Sequence, residues 1–240
     1  FHVYRLTPNG ITDSLTTAIG PVDADGTAGQ ITFAPNGNQF AYATVSVLGF
    51  LAVYDFDTST GVITNARTWN AVAMRSFWGA AFSPDGTKLY FTTTNNGTLR
   101  QLNLAAGSWA AVQSSEVILG TLLPDLWRDL RLGPDGRVYV SRAQSTALGV
   151  IQDPNAMGAA CQFADTAVSI SGTSSFGLPN VVCDYSYTNT VPQCSNPEGI
   201  GEHQWTASVH PNPTNGTVML EGPVGRTVIS IRVCNTSGRT

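Results

Sequence analysis

The chain has 240 residues, a formal charge of −4 and only 12% charged side chains, against 24 glycines, 13 prolines and a 42% apolar share. Lys88 is its single lysine, so the clustered cations that nucleic acid or an anionic membrane surface needs are missing, and no apolar run approaches the ~18 residues of a membrane-spanning helix. The composition is that of an extracellular all-β protein, rich in turn formers and apolar enough for a core.

In chain order, the first recognisable unit is Val3-Tyr-Arg-Leu-Thr-Pro-Asn-Gly10, a strand running into a glycine turn. The same unit returns as Leu51-Ala-Val-Tyr-Asp-Phe-Asp-Thr-Ser-Thr-Gly61 and Thr98-Leu-Arg-Gln-Leu-Asn-Leu-Ala-Ala-Gly107. Between and after these stand three turns, Phe33-Ala-Pro-Asn-Gly37, Phe82-Ser-Pro-Asp-Gly86 and Leu132-Gly-Pro-Asp-Gly136, whose prolines are 49 and 50 residues apart. Proline presets φ, Asp or Asn bonds the neighbouring backbone, and glycine accepts positive φ, so each is a hairpin connector. Asp85 and Asp135 are accordingly read as turn residues and not as catalytic acids. An alternating run follows every turn: Gln39-Phe-Ala-Tyr-Ala43, Lys88-Leu-Tyr-Phe-Thr92 and Arg137-Val-Tyr-Val-Ser141.

A repeat of this length predicts stacked four-stranded β-units, most simply the blades of a β-propeller, because one such unit cannot bury its own apolar face. The expected fold is all-β: a partial propeller of about three and a half blades over residues 1–183, a linker over 184–205, and the start of an Ig-like β-sandwich over 206–240. On this reading Phe1 begins at the third strand of a blade, and the chain is an internal piece of a longer protein.

In a propeller the loops from blade to blade share one face with those joining second and third strands. That places Arg75, Phe77, Trp78, Asn95, Asn96, Trp127, Arg128 and Asp129 together as a candidate binding face. Trp78 and Trp127 precede their prolines by six and seven residues, which makes them near-equivalents in successive blades. Aromatic and arginine side chains displayed together suit recognition of a peptide or of a sugar stacked on an indole. A tryptophan here can instead wedge between blades.

Beyond residue 143 the strict repeat gives way to Ala147-Leu-Gly-Val-Ile-Gln-Asp-Pro-Asn-Ala-Met-Gly-Ala-Ala-Cys161 and then Ser175-Phe-Gly-Leu-Pro-Asn180. Physically, Asp153-Pro-Asn155 is a turn, Ala156 to Cys161 a short helical turn, and Ser175 to Asn180 a loop approaching the core. Over about residues 130 to 183 the chain resembles secreted multidomain proteins of Bacteroidetes-type bacteria. Cys161, Cys183, Cys194 and Cys234 include no Cys-x-x-Cys pair and no histidine at ligand spacing, so no metal site or cofactor is expected. Cys183 can pair with Cys194, or Cys161 with either, while Cys234 reads as a buried thiol.

Residues 184–205 lose periodicity and gain Pro, Gly, Asn and Thr, as a linker does. After them Ala207-Ser-Val-His-Pro-Asn-Pro-Thr-Asn-Gly-Thr-Val-Met-Leu220 and Ile229-Ser-Ile-Arg-Val-Cys-Asn-Thr-Ser-Gly238 resemble the C-terminal sorting domain of the type IX secretion system. Pro211, Asn212, Pro213, Asn215, Gly216, Asn235 and Gly238 carry that resemblance, with His210 and Cys234 departing from the usual residues. It implies a partner, the type IX machinery, and a secreted or cell-surface location outside a Gram-negative outer membrane.

Two function classes follow. The first is a binding or scaffold module for protein or glycan. The second is a hydrolase or lyase whose catalytic groups come partly from upstream blades. His2, His203 and His210 form no triad and no metal cluster, and Gly-x-Ser-x-Gly is absent, so no catalytic residue is assigned.

Overall fold

Each Pro-Asx-Gly motif closes a tight antiparallel connection in which glycine takes the left-handed backbone: φ is +73° at Gly37, +70° at Gly86 and +76° at Gly136. Ala34 and Ser83 donate their N–H groups to the carbonyls of Gln39 and Lys88, and Gly133 donates to Arg137, one residue closer. The third turn is therefore shorter by one residue. Asp85 accepts from Ser83 Oγ at 2.6 Å and Thr87 N at 2.9 Å, and Asp135 from Tyr139 OH at 2.8 Å and Arg137 N at 3.2 Å. Both carboxylates are consumed in holding their own turns.

A computed structural model describes residues 1–22, 28–46, 49–70, 76–94, 96–122 and 127–179, with the backbone of two further short strands at 208–210 and 219–221. The first two strands, β1 (His2–Thr7) and β2 (Gly10–Thr16), form a hairpin. Three four-stranded antiparallel sheets follow, each a meander in sequence order. The first holds β3 (Ala28–Phe33), β4 (Gln39–Val45), β5 (Phe50–Phe56) and β6 (Ile63–Asn70). The second holds β7 (Phe77–Phe82), β8 (Lys88–Thr93), β9 (Thr98–Asn103) and β10 (Val117–Thr121), with the short helix α1 (Trp109–Ser114) between the last two. The third holds β11 (Trp127–Leu132), β12 (Val138–Arg142), β13 (Ser145–Ile151) and β14 (Phe163–Ser174).

The leading strands of the three sheets lie side by side, β3 against β7 and β7 against β11. Gln30 on β3 ties all three: its Oε1 accepts from Ala80 N at 2.9 Å, and its Nε2 donates to Leu130 O at 3.0 Å. Four-stranded sheets packed face to face around their first strands are consistent with a partial propeller. The middle sheet is covered on both sides, so every residue of β8 is buried. Alternation sends Phe91 with Phe77 and Phe82 toward Ala41, Leu51 and Val53 of the first sheet. It sends Tyr90 and Leu99 toward Trp127, Leu130, Val138 and Val140 of the third.

The segment joining β13 to β14 is a turn followed by a 3-10 helix at Gly158–Cys161, and it docks on the second sheet. Tyr90 OH donates to Pro154 O at 2.8 Å, Gln101 Nε2 to Ala156 O at 2.6 Å, and Gly158 N to Gln101 Oε1 at 2.7 Å. Cys161 is a buried free thiol in this core, which removes it from the disulfide alternatives expected above. Cys183, Cys194 and Cys234 lie outside the described residues.

Contacts divide the chain into Phe1–Ser195 and Asn196–Thr240. In the second unit β15 (Ser208–His210) pairs antiparallel with β16 (Met219–Glu221), His210 opposite Met219. All seven sorting-motif residues, Pro211, Asn212, Pro213, Asn215, Gly216, Asn235 and Gly238, lie outside the described residues.

The β5–β6 loop gives a pH-dependent expectation. Asp57 accepts from Ser59 Oγ at 2.6 Å and Ser59 N at 2.8 Å, with Thr60 N at 3.3 Å, and these donors pull its pKa down to about 2. A depressed carboxyl stabilises the fold above its unfolded pKa, and the contribution is lost as pH falls toward 2. Carboxyl ¹³C NMR should place the Asp57 midpoint near 2 and move it upward in Ser59→Ala; a midpoint near 4 in the unmutated chain would contradict the geometry.

Candidate binding face

The antiparallel meanders put the starts of β7 and β11, the β8–β9 and β12–β13 loops and the segment after β14 at one end of the sheets. The Pro-Asx-Gly turns occupy the other end. At the first end β7 and β11 share an irregularity. Phe77 pairs with Thr93 and Ala80 with Phe91, so Trp78 and Gly79 together face Thr92. Trp127 pairs with Arg142 and Leu130 with Val140, so Arg128 and Asp129 face Ser141. These are matched β-bulges, each closed by a hydroxyl: Gly79 N donates to Thr92 Oγ1 at 3.0 Å, and Asp129 N to Ser141 Oγ at 2.9 Å. Strand β3 pairs with β4 in unbroken register and has no such bulge.

The bulges decide which side chains reach the surface. Phe77 and Trp127 occupy the same position and are buried, Phe77 between the first and second sheets and Trp127 between the second and third. Trp127 packs edge-on against Phe163 with ring centroids 5.3 Å apart. Trp78 and Arg128, one residue later, are turned outward and half-buried. The expected equivalence of Trp78 with Trp127 is thereby corrected. A one-residue offset in a strand reverses the facing, so Trp78 corresponds to Arg128, and Trp127 is an inter-sheet wedge.

The two outward residues meet. Arg128 Cζ lies 4.6 Å from the centre of the Trp78 ring and 5.3 Å from that of Phe176. Trp78 and Phe176 stack at 5.6 Å with 28° between planes, and Trp78 Nε1 donates to Phe176 O at 3.2 Å. Arg128 Nε is buried with no hydrogen-bond partner, and burial lowers the guanidinium pKa from its ordinary value. Contact of a cation with two aromatic rings stabilises it by about 0.5–2 kcal/mol per contact, and the half-exposed guanidinium can still donate to a ligand oxygen.

Asp129 points inward from the same bulge and is 5% exposed. Its Oδ1 accepts from Leu130 N at 2.9 Å and its Oδ2 from Leu178 N at 2.8 Å, with Arg131 Nε 3.3 Å from Oδ2. Burial raises the carboxyl pKa above the usual range, against the pull of those N–H groups and of Arg131. Asp129, read from the sequence as part of the binding face, is therefore a buried anchor. Asn96 is tied into its own loop, accepting from Thr93 Oγ1 at 2.5 Å and Thr98 Oγ1 at 3.3 Å. Arg75 and Asn95 lie outside the described residues.

The structure thus gathers Trp78, Arg128 and Asp129 and separates Phe77 and Trp127 from them. It adds Phe176 and Leu178, which sequence reasoning placed only in a loop approaching the core. Among the described residues no group of three or more His, Cys, Asp or Glu side chains could hold a metal, and no helix is long and apolar enough to cross a membrane.

The sequence matches no protein-family model and no curated protein. Solved structures similar to the chain include the periplasmic gluconolactonase of Pseudomonas aeruginosa, 14% identical with a TM-score of 0.40, covering 62% of this chain and 42% of that one. Another is a Bacteroides fragilis protein described as a 6-phosphogluconolactonase, 14% identical with a TM-score of 0.43, covering 72% and 52%. A third is the extracellular domain of a B. thetaiotaomicron protein described as a one-component system, 12% identical with a TM-score of 0.43, covering 73% and 22%. The chain spans about half or less of the length of each. At such identities and scores nothing about ligand or reaction passes to this chain.

Proposed function

We propose that the chain is a secreted or cell-surface binding or scaffold module that meets a protein or glycan ligand at the bulged end of its sheets. The observation that carries this reading is the twin bulge, which presents Trp78 and Arg128 as one stacked platform on which Phe176 lies. Indole and guanidinium faces hold planar or apolar groups, and the guanidinium charge suits a ligand carboxylate or carbonyl. No cofactor enters this reading.

The wider proposal has three parts. The sheets and hairpin belong to a propeller completed by further blades. Residues 184–205 link it to a sandwich-type domain over 206–240. The Pro211-Asn-Pro-Thr-Asn-Gly216 and Asn235-Thr-Ser-Gly238 motifs, by their resemblance, make that domain a type IX export signal of a Bacteroidetes-type bacterium. The hydrolase or lyase reading has less support, since among the described residues the carboxylate at the platform is Asp129, which spends both oxygens on backbone N–H groups.

The test is a glycan and peptide array screened with the full chain and with Trp78→Ala. Trp78 is half-buried at the surface, so its loss should leave the thermal midpoint within about 3 °C while removing at least 90% of any specific signal. Specific binding that survives Trp78→Ala unchanged would place recognition elsewhere.

A further inference from the structure

The platform is already in contact with a short stretch of the chain itself, bent at Phe176, and the pattern of those contacts specifies a ligand. After β14 ends, residues 175–179 start at the bulged end and run along β11 toward its Pro-Asx-Gly turn, with Phe176 58% exposed and Leu178 half-buried. Three contacts from two side chains hold this strap. The Trp78 indole N–H donates to the main-chain carbonyl of Phe176, the Trp78 ring stacks on the Phe176 ring, and buried Asp129 accepts the main-chain N–H of Leu178. Leu178 and Pro179 then line a recess of about 200 Å³ whose other walls include Leu132, Pro134, Tyr139 and Leu148.

Two of these contacts read main-chain atoms: the carbonyl of one residue and the N–H of the residue two positions later. A peptide offers a carbonyl and an N–H two residues apart whatever its side chains, whereas a sugar, though rich in hydroxyl donors, carries no such repeating pair. The side-chain contacts add an aromatic ring at the first position and an aliphatic group at the third. The middle position is permissive: a Cβ built on Gly177 would lie 3.7 Å from Asp129 Oδ2, an ordinary contact.

We propose, building on the binding reading above, that this platform is a peptide site for segments of the form aromatic–any–aliphatic that bend as the 175–179 strap does, and that the strap fills it as a displaceable internal ligand. The strap runs over the surface and not through the core, so exchanging it for a partner segment leaves the inter-sheet packing intact. Partner binding replaces one carbonyl acceptor, one N–H donor and one stacked ring with their equals.

The probe is a fluorescein-labelled Ser-Ser-Phe-Gly-Leu-Pro peptide, read by anisotropy against the full chain. Phe176→Ala removes only a mostly exposed ring, so the fold is retained and the strap is loosened. Peptide affinity should rise about tenfold over the unmutated chain, and adding Trp78→Phe, which keeps a ring but loses the indole N–H, should reverse most of that gain. A scrambled peptide should not bind. Phe176→Ala protein that melts like the unmutated chain yet binds the peptide no better would overturn the proposal. If array ligands then still require Trp78, the platform reading stands and only the peptide assignment falls, with a glycan as the ligand class. If no ligand of either kind depends on Trp78, both readings fall.

Discussion

Trp127→Ala is expected to lower the unfolding free energy by about 3–5 kcal/mol, the range for truncating a large buried aromatic. The indole is 1% exposed and sits between the second and third sheets among Ala81, Tyr90, Leu99 and Leu130. Domains are stable by only about 5–15 kcal/mol, so this single change removes a large share of the total. In a chain of this size the thermal midpoint should fall by about 6–20 °C, measurable by circular dichroism. Trp78→Ala, one bulge away in the neighbouring sheet, should shift it far less. If the two variants melted alike, the assignment of one tryptophan to the core and the other to the surface would be wrong.

Gly79→Ala is the second large effect, and it acts through the backbone. An added Cβ would lie 2.4 Å from Arg128 O, 3.0 Å from Asp129 Cα and 3.1 Å from Gln30 Oε1. The first two are main-chain atoms of β11, which cannot swing aside as a side-chain tip can. Strands β7 and β11 must separate, and that strains the Thr92 Oγ1 bond to Arg128 O at 2.6 Å and both Gln30 hydrogen bonds. Overpacking of this kind costs about 1–3 kcal/mol, and the lost hydrogen bonds add to it. Urea unfolding should therefore show a clear drop in midpoint, with weakened binding as well because the platform spans the displaced strands. Gly172→Ala is the control, since a Cβ there meets nothing within 4 Å and should leave the midpoint unchanged. Equal behaviour of the two variants would contradict the close approach of β7 and β11.

The turns were legible in the sequence because their chemistry is local. Proline, Asp or Asn, and glycine within four residues fix a connector whatever surrounds it, and the alternating runs behind them mark strands by periodicity alone. The bulges were not legible. Trp78-Gly79 and Arg128-Asp129 have no shared sequence pattern, and what closes each bulge is a hydroxyl from the partner strand, Thr92 or Ser141, which ordinary strand residues also provide. Counting from the prolines therefore aligned Trp78 with Trp127, and the inserted residue defeats that count, because facing reverses with every position. Asp129 reads as a surface acid until the Leu178 N–H and Arg131 are seen to make its burial tolerable. Phe176 lies in a segment without periodicity, so sequence could place it in a loop but not over an indole 98 residues away.

The most direct measurement is a calorimetric titration of a ligand found on the arrays against three forms of the full chain: unmutated, Arg128→Ala, and Asp57→Ala at the opposite end of the sheets. If the bulged end is the recognition face, Arg128→Ala weakens binding at least tenfold with the protein still folded and its thermal midpoint lowered by only several degrees, and Asp57→Ala binds like the unmutated chain. Undiminished affinity in Arg128→Ala, or a loss confined to Asp57→Ala, would contradict that assignment and move the binding surface to the opposite end of the sheets.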